Sequence, residues 1–291
     1  MAWAGKQLTS KTDPVWFVME ATGVYYEKLA YYLVAHAQRV AVVLPTKLKH
    51  YIKTLEVKSK TDALDARGIS QFGLERPLAS WQPPSAQLIR LKELSREHET
   101  IQRYATVIKN RLHAKCHSQA PGETTVERLK AQLQLLRQQL KAIDHEMHAL
   151  VESDADLKAR IANVTTADGL GFMTVVKVVA ETGGFALIRN RKQLTSYADY
   201  DVALRESGKR KGQPAISKRG NSHLRAAVFM PALVAIRHNK HLKDVFLRLV
   251  RTRGNKMIAA IAVARKLLCL IYALWNSKLP YNLDYQAAHA R

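Results

Sequence analysis

Cysteine is nearly absent from this chain. Two residues in 291, Cys116 and Cys269, match neither a disulfide framework nor any metal-site spacing. That sets aside the disulfide-stapled secreted classes and points to a reducing compartment, the cytoplasm. Acids are scarce as well: 24 Asp and Glu stand against 46 Lys and Arg, leaving a net charge of +22. The first residues, Met1-Ala-Trp-Ala-Gly-Lys-Gln-Leu, lack the apolar core of a signal peptide, so no secretory leader is expected. Long unbroken apolar runs are missing too. The longest, Met257 to Trp275, is interrupted by Arg265 and Lys266, which fits a core helix with a basic face better than a membrane span. No membrane partner is expected.

The hydrophobic fraction of 47% is ordinary for a globular protein, so disorder is not the default reading, and the length suits two domains, or one domain with a helical insertion. The surplus of positive charge costs self-repulsion, which a polyanion relieves by releasing condensed counterions. Its distribution is uneven. Residues 1–80 carry net +4, residues 81–160 net +3, and residues 161–291, with 22 basic against 7 acidic side chains, net +15. The last third is therefore the expected surface for nucleic-acid phosphates, in the cytoplasm and associated with the nucleoid.

Three regions follow from the pattern. In residues 1–80, the apolar run Val15 to Met19, a turn at Glu20-Ala-Thr-Gly23, helical spacing over Val24 to Ala37 and a second apolar run from Val40 to Leu44 predict a strand–helix–strand unit with parallel strands. Residues 46–56 read as a basic helix. Thr61 can cap a helix running from Asp62 to about Leu74. In residues 81–160, two apolar series alternate by three and four. One runs Leu91, Leu94, His98, Ile101, Ala105, Ile108, Leu112; the other runs from Val126 to Leu150. A Pro121-Gly122 break joins them, which predicts an antiparallel coiled-coil hairpin. Residues 161–291 read as mainly helical and basic, with a helix over Phe172 to Glu181 and a Gly-containing basic stretch around residues 205–219. Gly169-Leu-Gly171 fits a tight turn or a helix-hairpin-helix turn facing a phosphate. His113 and His117 read as hairpin surface, since no further ligands accompany them.

Glu20 ends a strand at the carboxyl edge, where open α/β sheets place their sites. Asp62 and Asp65 lie three apart at a helix start, on one face. Carboxylates converging on one point need a cation between them, and a hard, oxygen-preferring ion such as Mg²⁺ suits them. Taken singly, each acid has a plainer reading: Asp62 and Asp65 as first-turn acids, Glu20 as a strand-end partner for a cation.

The pattern taken together resembles a known family. Met-Glu20-Ala-Thr-Gly-Val-Tyr25, Val-Ala-Val-Val-Leu-Pro45 and Lys60-Thr-Asp62-Ala-Leu-Asp65-Ala-Arg67 are similar to the RuvC-like (RNase H-like) domain of DEDD-type insertion-sequence transposases, whose relatives include the Piv DNA invertases. Phe185 to Tyr200, Glu206-Ser-Gly208 and Ile216-Ser-Lys-Arg-Gly-Asn-Ser-His-Leu-Arg225 resemble the C-terminal transposase domain of the same family. The resemblance implies an α/β RuvC-like first domain, the coiled-coil hairpin and a helical C-terminal domain. It implies that Glu20, Asp62 and Asp65 match the second to fourth acids of a Mg²⁺ site, and that Ser207 matches a nucleophile forming a phosphoserine link to DNA. Lys209, Arg210, Lys211, Lys218, Arg219, Asn221 and Arg225 would contact nucleic acid. The implied activity is transposition or DNA recombination guided by a structured RNA, with a homodimer or homotetramer holding two DNAs.

Two departures bear on that expectation. The family's first acid lies on a strand well upstream of the Glu-Ala-Thr-Gly motif, whereas here 19 residues precede Glu20. Asp13, the acid among them, would lie about 23 Å away along an extended strand at ~3.3 Å per residue. An incomplete RuvC-like domain, an N-terminally truncated copy and weak or no activity are the expectations. Asp199 and Asp168 also stand where the family favours Gly or a Pro-Gly turn, positions wanting backbone freedom. Two other readings stay open: a nucleic-acid-binding module without chemistry, and a RuvC-like nuclease that uses water.

Overall fold

The computed structural model describes residues 15–55, 61–120, 122–186, 188–203, 206–207, 210–211, 215–216 and 220–282. The chain divides into two units, residues 1–83 and 84–291.

In the first unit, strand β1 (Trp16–Glu20) pairs in parallel with β2 (Arg39–Val43), with Glu20 opposite Val43. The helix between them, α1 (Glu27–Ala35), begins later than its apolar spacing suggested. Gly23 takes φ +57 in a turn closed by the Tyr25 amide donating to the Thr22 carbonyl (3.4 Å). Ala30, Leu33, Val40 and Trp81 form the small buried cluster of this unit. Trp81 extends the hydrogen bonding of β2, its amide donating to the Val40 carbonyl (2.8 Å). Tyr26 and Tyr31 meet the Trp81 ring edge-on, an arrangement favoured by the ring quadrupoles.

Helix α2 (Pro45–Thr54) starts with Pro at its first turn, where the missing N–H has no cost. Helix α3 (Asp62–Glu75) is capped by Thr61, as its sequence predicts: the hydroxyl accepts from the Leu64 amide at 3.3 Å. Two glycines let α3 approach closely. A Cβ at Gly68 would lie 2.8 Å from the Ile52 side chain of α2, and one at Gly73 would lie 2.8 Å from Val18 of β1. The expected parallel strand–helix–strand unit is thus present. Among the described residues its sheet holds two strands, fewer than a complete RuvC-like sheet, and Asp13 lies outside the described residues.

In the second unit, α4 (Ala86–Cys116) and α5 (Glu123–Glu152) are long helices packed on each other. Arg90, near the start of α4, pairs with Glu146, near the end of α5 (2.8 Å), so the pair is antiparallel. The positions spaced by three and four are the sheltered ones: Leu91, Leu94 and Ile101 on α4, and Leu129, Leu133, Ile143 and Met147 on α5, are buried. Then come α6 (Ala155–Thr165), α7 (Phe172–Glu181), α8 (Arg191–Tyr197), α9 (Ser222–His238), α10 (Lys240–Arg253) and α11 (Lys256–Ser277).

Helix α11 is the centre of this unit and packs against α6, α8, α9 and α10. It is the one helix among the described residues long and apolar enough to cross a membrane. Its Val263, Ala264, Leu267, Leu268 and Ile271 are fully buried against the other helices, as a core helix requires. Between α8 and α9 the chain forms four two-residue strands: β3 (Val202–Ala203), β4 (Glu206–Ser207), β5 (Arg210–Lys211) and β6 (Ala215–Ile216). β3 pairs with β6 and β4 with β5, both antiparallel. The result is a hairpin nested within a hairpin, which the basic composition of the stretch did not announce.

Candidate active-site residues and nucleic-acid surface

The acids sit at element ends. Glu20 is the last residue of β1 and half-buried, and the Thr22 hydroxyl donates to its Oε1 at 2.8 Å. Asp62 and Asp65 occupy the first turn of α3, Asp62 exposed and Asp65 half-buried. Negative charge there is favoured by the unsatisfied amides and dipole of the helix start. Among the described residues no group of three or more His, Cys, Asp or Glu side chains could hold a metal ion, so the three acids are not gathered into a ready-made ligand cluster. His113 and His117 stack on each other at 4.2 Å on the exposed end of α4, consistent with the surface reading.

Ser207 lies in the second unit, at the inner end of β4, opposite Arg210 in the register. Two residues, Gly208 and Lys209, join these strands. Lys209, Lys218 and Arg219 lie outside the described residues. The backbones of Arg210 and Lys211 form β5.

Asn221 and Arg225, which the sequence assigned to nucleic acid, have polar atoms engaged inside the protein. The Asn221 amide nitrogen donates to Glu181 Oε2 (3.0 Å) and Tyr197 Oη (3.3 Å), while its oxygen accepts from the Leu224 amide (3.1 Å), capping α9. Arg225 Nη1 donates to the carbonyls of Ala198 (3.0 Å) and Gly220 (3.1 Å). Asp199, where glycine was expected, does take φ +59. The neighbouring Gly220 is obligatory: its Cβ would fall 2.5 Å from the Tyr197 carbonyl and 2.7 Å from the Asp199 Cβ.

A line of polar side chains ties α4 to α7 and α9. Arg96 donates through Nε to Glu181 at 2.7 Å, and the Glu181 side chain is 1% exposed. Burial raises the pKa of that carboxyl, but hydrogen bonds from Arg96 and Asn221 outweigh burial and hold it below the ordinary value. Lys177 Nζ lies 3.1 Å from His98 Nδ1. An ammonium can only donate, so the neutral ring accepts at Nδ1 and carries its proton on Nε2, which faces Asp144 at 3.3 Å. Burial and then Lys177 lower the pKa of His98, and burial lowers that of Lys177. His223 Nδ1 meets Glu99. No functional role was expected for Arg96, Glu99, Asp144, Lys177 or Glu181, and His98 was expected on the apolar face of the hairpin. Their signal was there: Lys177 and Glu181 are the charged positions in an otherwise apolar helix, and a buried charge requires a partner.

The positive surface is fully formed on α10 and the turn after it. Lys240, Lys243, Arg248, Arg251, Arg253 and Lys256 are exposed, and none makes an ion pair among the described residues.

Comparison with known proteins finds transposase models in both units. Residues 2–121 match the DEDD transposase model of IS110, and residues 161–247 match the transposase IS116/IS110/IS902 family. The chain is similar to the pilin gene-inverting protein of Moraxella bovis, 28% identical over 273 residues, which cover 93% of this chain and 83% of that protein. It is also similar to the transposase for insertion sequence element IS1111A of Coxiella burnetii, 26% identical over 142 residues, 48% of this chain and 38% of that one. The chain carries transposase domains of the IS110/IS116 family. The matched domains are those of transposases, enzymes that act on DNA.

Proposed function

We propose that this enzyme is an insertion-sequence recombinase in which Ser207 is the nucleophile and Glu20, Asp62 and Asp65 serve the same reaction with Mg²⁺. The observation that carries the reading is the seat of Ser207. Its strand register faces Arg210 in a stretch holding Lys209, Arg210 and Lys211, within the residues that match the second transposase domain. A serine hydroxyl is a weak nucleophile at neutral pH and needs both a proton acceptor and stabilisation of the charge that builds on the phosphoryl oxygens. Basic residues beside it supply the second.

In the proposed step Ser207 Oγ attacks a backbone phosphorus and its proton passes to a base. One phosphate–deoxyribose P–O bond breaks, and the departing sugar oxygen takes up a proton. The ester count is conserved, so a hydroxyl from another DNA end can reverse the step and release the serine without ATP. When bound, Mg²⁺ would supply charge neutralisation at the phosphate, with Glu20, Asp62 and Asp65 as its protein carboxylates. The uncompensated cations of α10 support phosphate binding, both to element and target DNA and to a structured guide RNA. Holding two DNAs at once calls for two or four copies of the chain, in association with the nucleoid.

The test is incubation of the purified chain with the element's junction DNA, its flanking RNA and Mg²⁺, followed by denaturing electrophoresis. A covalent protein–DNA adduct lost in Ser207→Ala is expected. Cleavage that survives Ser207→Ala but not Asp65→Ala would replace this reading with water-using hydrolysis. Salt-sensitive binding with neither product would leave a module without chemistry.

A further inference from the structure

The described residues on either side of the Ser207 stretch, Tyr200 and Asp201 before it and Gly220 and Asn221 after it, are tied to the same short segment, Thr195 to Asp199. On the outgoing side, the Tyr200 amide donates to the Thr195 carbonyl (2.8 Å), and the Thr195 hydroxyl donates to Asp201 Oδ1 (3.1 Å). On the returning side, the Asn221 amide donates to the Tyr197 carbonyl (2.9 Å), and Gly220 sits against Tyr197 and Asp199 more closely than any side chain allows. One nitrogen, Arg225 Nη1, bridges both limbs through the carbonyls of Ala198 and Gly220. Behind this neck stands Glu181, which accepts from Asn221 on one side and from Arg96 on the other (2.7 and 3.2 Å). Arg96 belongs to α4, the first helix of the long hairpin.

A buried ion pair is a poor way to gain stability, because desolvation offsets most of the attraction and apolar side chains of similar size often do better. What a fully hydrogen-bonded buried carboxylate does provide is direction: each bond fixes the position of its donor. Both donors to Glu181 are structural handles, one on the hairpin and one at the neck.

We propose that Glu181, Arg96, Asn221 and Arg225 form a positioning set that fixes the neck of the Ser207 segment and couples the hairpin helix α4 to it. This rests on the reading of Ser207 as the nucleophile. None of the four is catalytic; they act through the placement of the segment. A nucleophile displaced by about 1 Å loses on the order of 100-fold in rate. Glu181→Gln keeps the shape of the side chain but removes the charge that orients Arg96 and Asn221. Asn221→Ser keeps a helix cap but loses the reach to Glu181.

Two readouts on the full-length chain test the set. The first is limited trypsin cleavage without DNA, followed at Lys209, Arg210 and Lys211 and, as internal reference, at Arg251 and Arg253. Both variants should speed cleavage in the Ser207 segment by about tenfold while the reference sites stay at the wild-type rate. The second is the rate of adduct formation, expected to fall about 10- to 100-fold in Glu181→Gln with DNA affinity unchanged, and to be partly restored in Arg225→Lys relative to Arg225→Ala. Unchanged cleavage of the segment, or acceleration at the reference sites to the same degree, overturns the positioning role. If the wild-type chain forms no adduct, the nucleophile reading falls, while trypsin still decides whether the neck is held by these residues.

Discussion

The two units bury their apolar residues to very different depths. The first holds a cluster of four buried residues, Ala30, Leu33, Val40 and Trp81, with Ala41, Val43, Leu48 and Tyr51 also buried, beside a two-stranded sheet, and leaves Val24, Tyr25, Leu29 and Tyr32 in solvent. The second is built around α11, with most of its inner face fully buried. The contrast matches the chemistry assigned to each. The acids proposed for the reaction lie in the unit with the thin layer, and the proposed nucleophile belongs to the unit with the larger buried core. The second unit also concentrates the positive charge, so rigidity and phosphate affinity coincide there.

The largest expected effects separate the two cores. Leu267→Ala should cost the second unit about 2–5 kcal/mol, because a fully packed site relaxes little around a cavity, and Leu33→Ala should fall at the lower end of that range. Urea titration of the full chain, followed by peptide-level hydrogen exchange, measures both; a larger loss for Leu33→Ala would break the contrast.

The next prediction concerns pH and the buried polar line of the second unit. His98 has its pKa depressed below the ordinary 6.5 by burial and by Lys177. As pH falls through 6.5 the unfolded chain takes up a proton that the folded ring refuses, so stability present above that pH declines below it. Glu181, depressed below the ordinary 4.5, adds stability that is present above 4.5 and lost as pH falls through its own lower value. Melting temperature against pH should show the first decline in the wild-type chain and a shallower one in His98→Gln. Equal slopes would remove His98 from the account.

The smallest effects sharpen the charge contrast. Replacing Lys243, Arg248 or Arg251 by Ala should each weaken DNA binding uniformly across sequences. Each should also reduce the slope of log affinity against log salt by about 1. The same change at Lys53, in the last turn of α2, should leave the slope unaltered; an equal drop there would make the positive surface common to both units.

Much of this was legible in the chain itself. The spacing of apolar residues located α1 and the antiparallel helix pair, since periodicity records which face of a helix is buried. Thr61 announced the cap of α3, and Asp199 fell on a residue with positive φ where glycine was anticipated. The nested hairpin around Ser207 escaped notice because two-residue strands carry no alternation to read, and a basic run looks the same in a loop as in a strand. Asn221 and Arg225 were assigned to nucleic acid because the motif is basic. Their partners, Glu181 and two backbone carbonyls, come from distant or unremarkable positions.

By itself, then, the sequence determined the likeness to transposases, the placement of most helices and the positive bias of the last third. Those are properties of residue type and local order, which a linear pattern records. Tertiary structure alone decided that Asn221 and Arg225 hold the neck of the serine segment, that Glu181 is buried and ion-paired to the hairpin, and that His98 lies against an ammonium. These depend on which surfaces meet when helices separated by 40 to 85 residues in sequence pack together. Spacing along the chain carries no record of that meeting, because the free energy that fixes it arises only on burial.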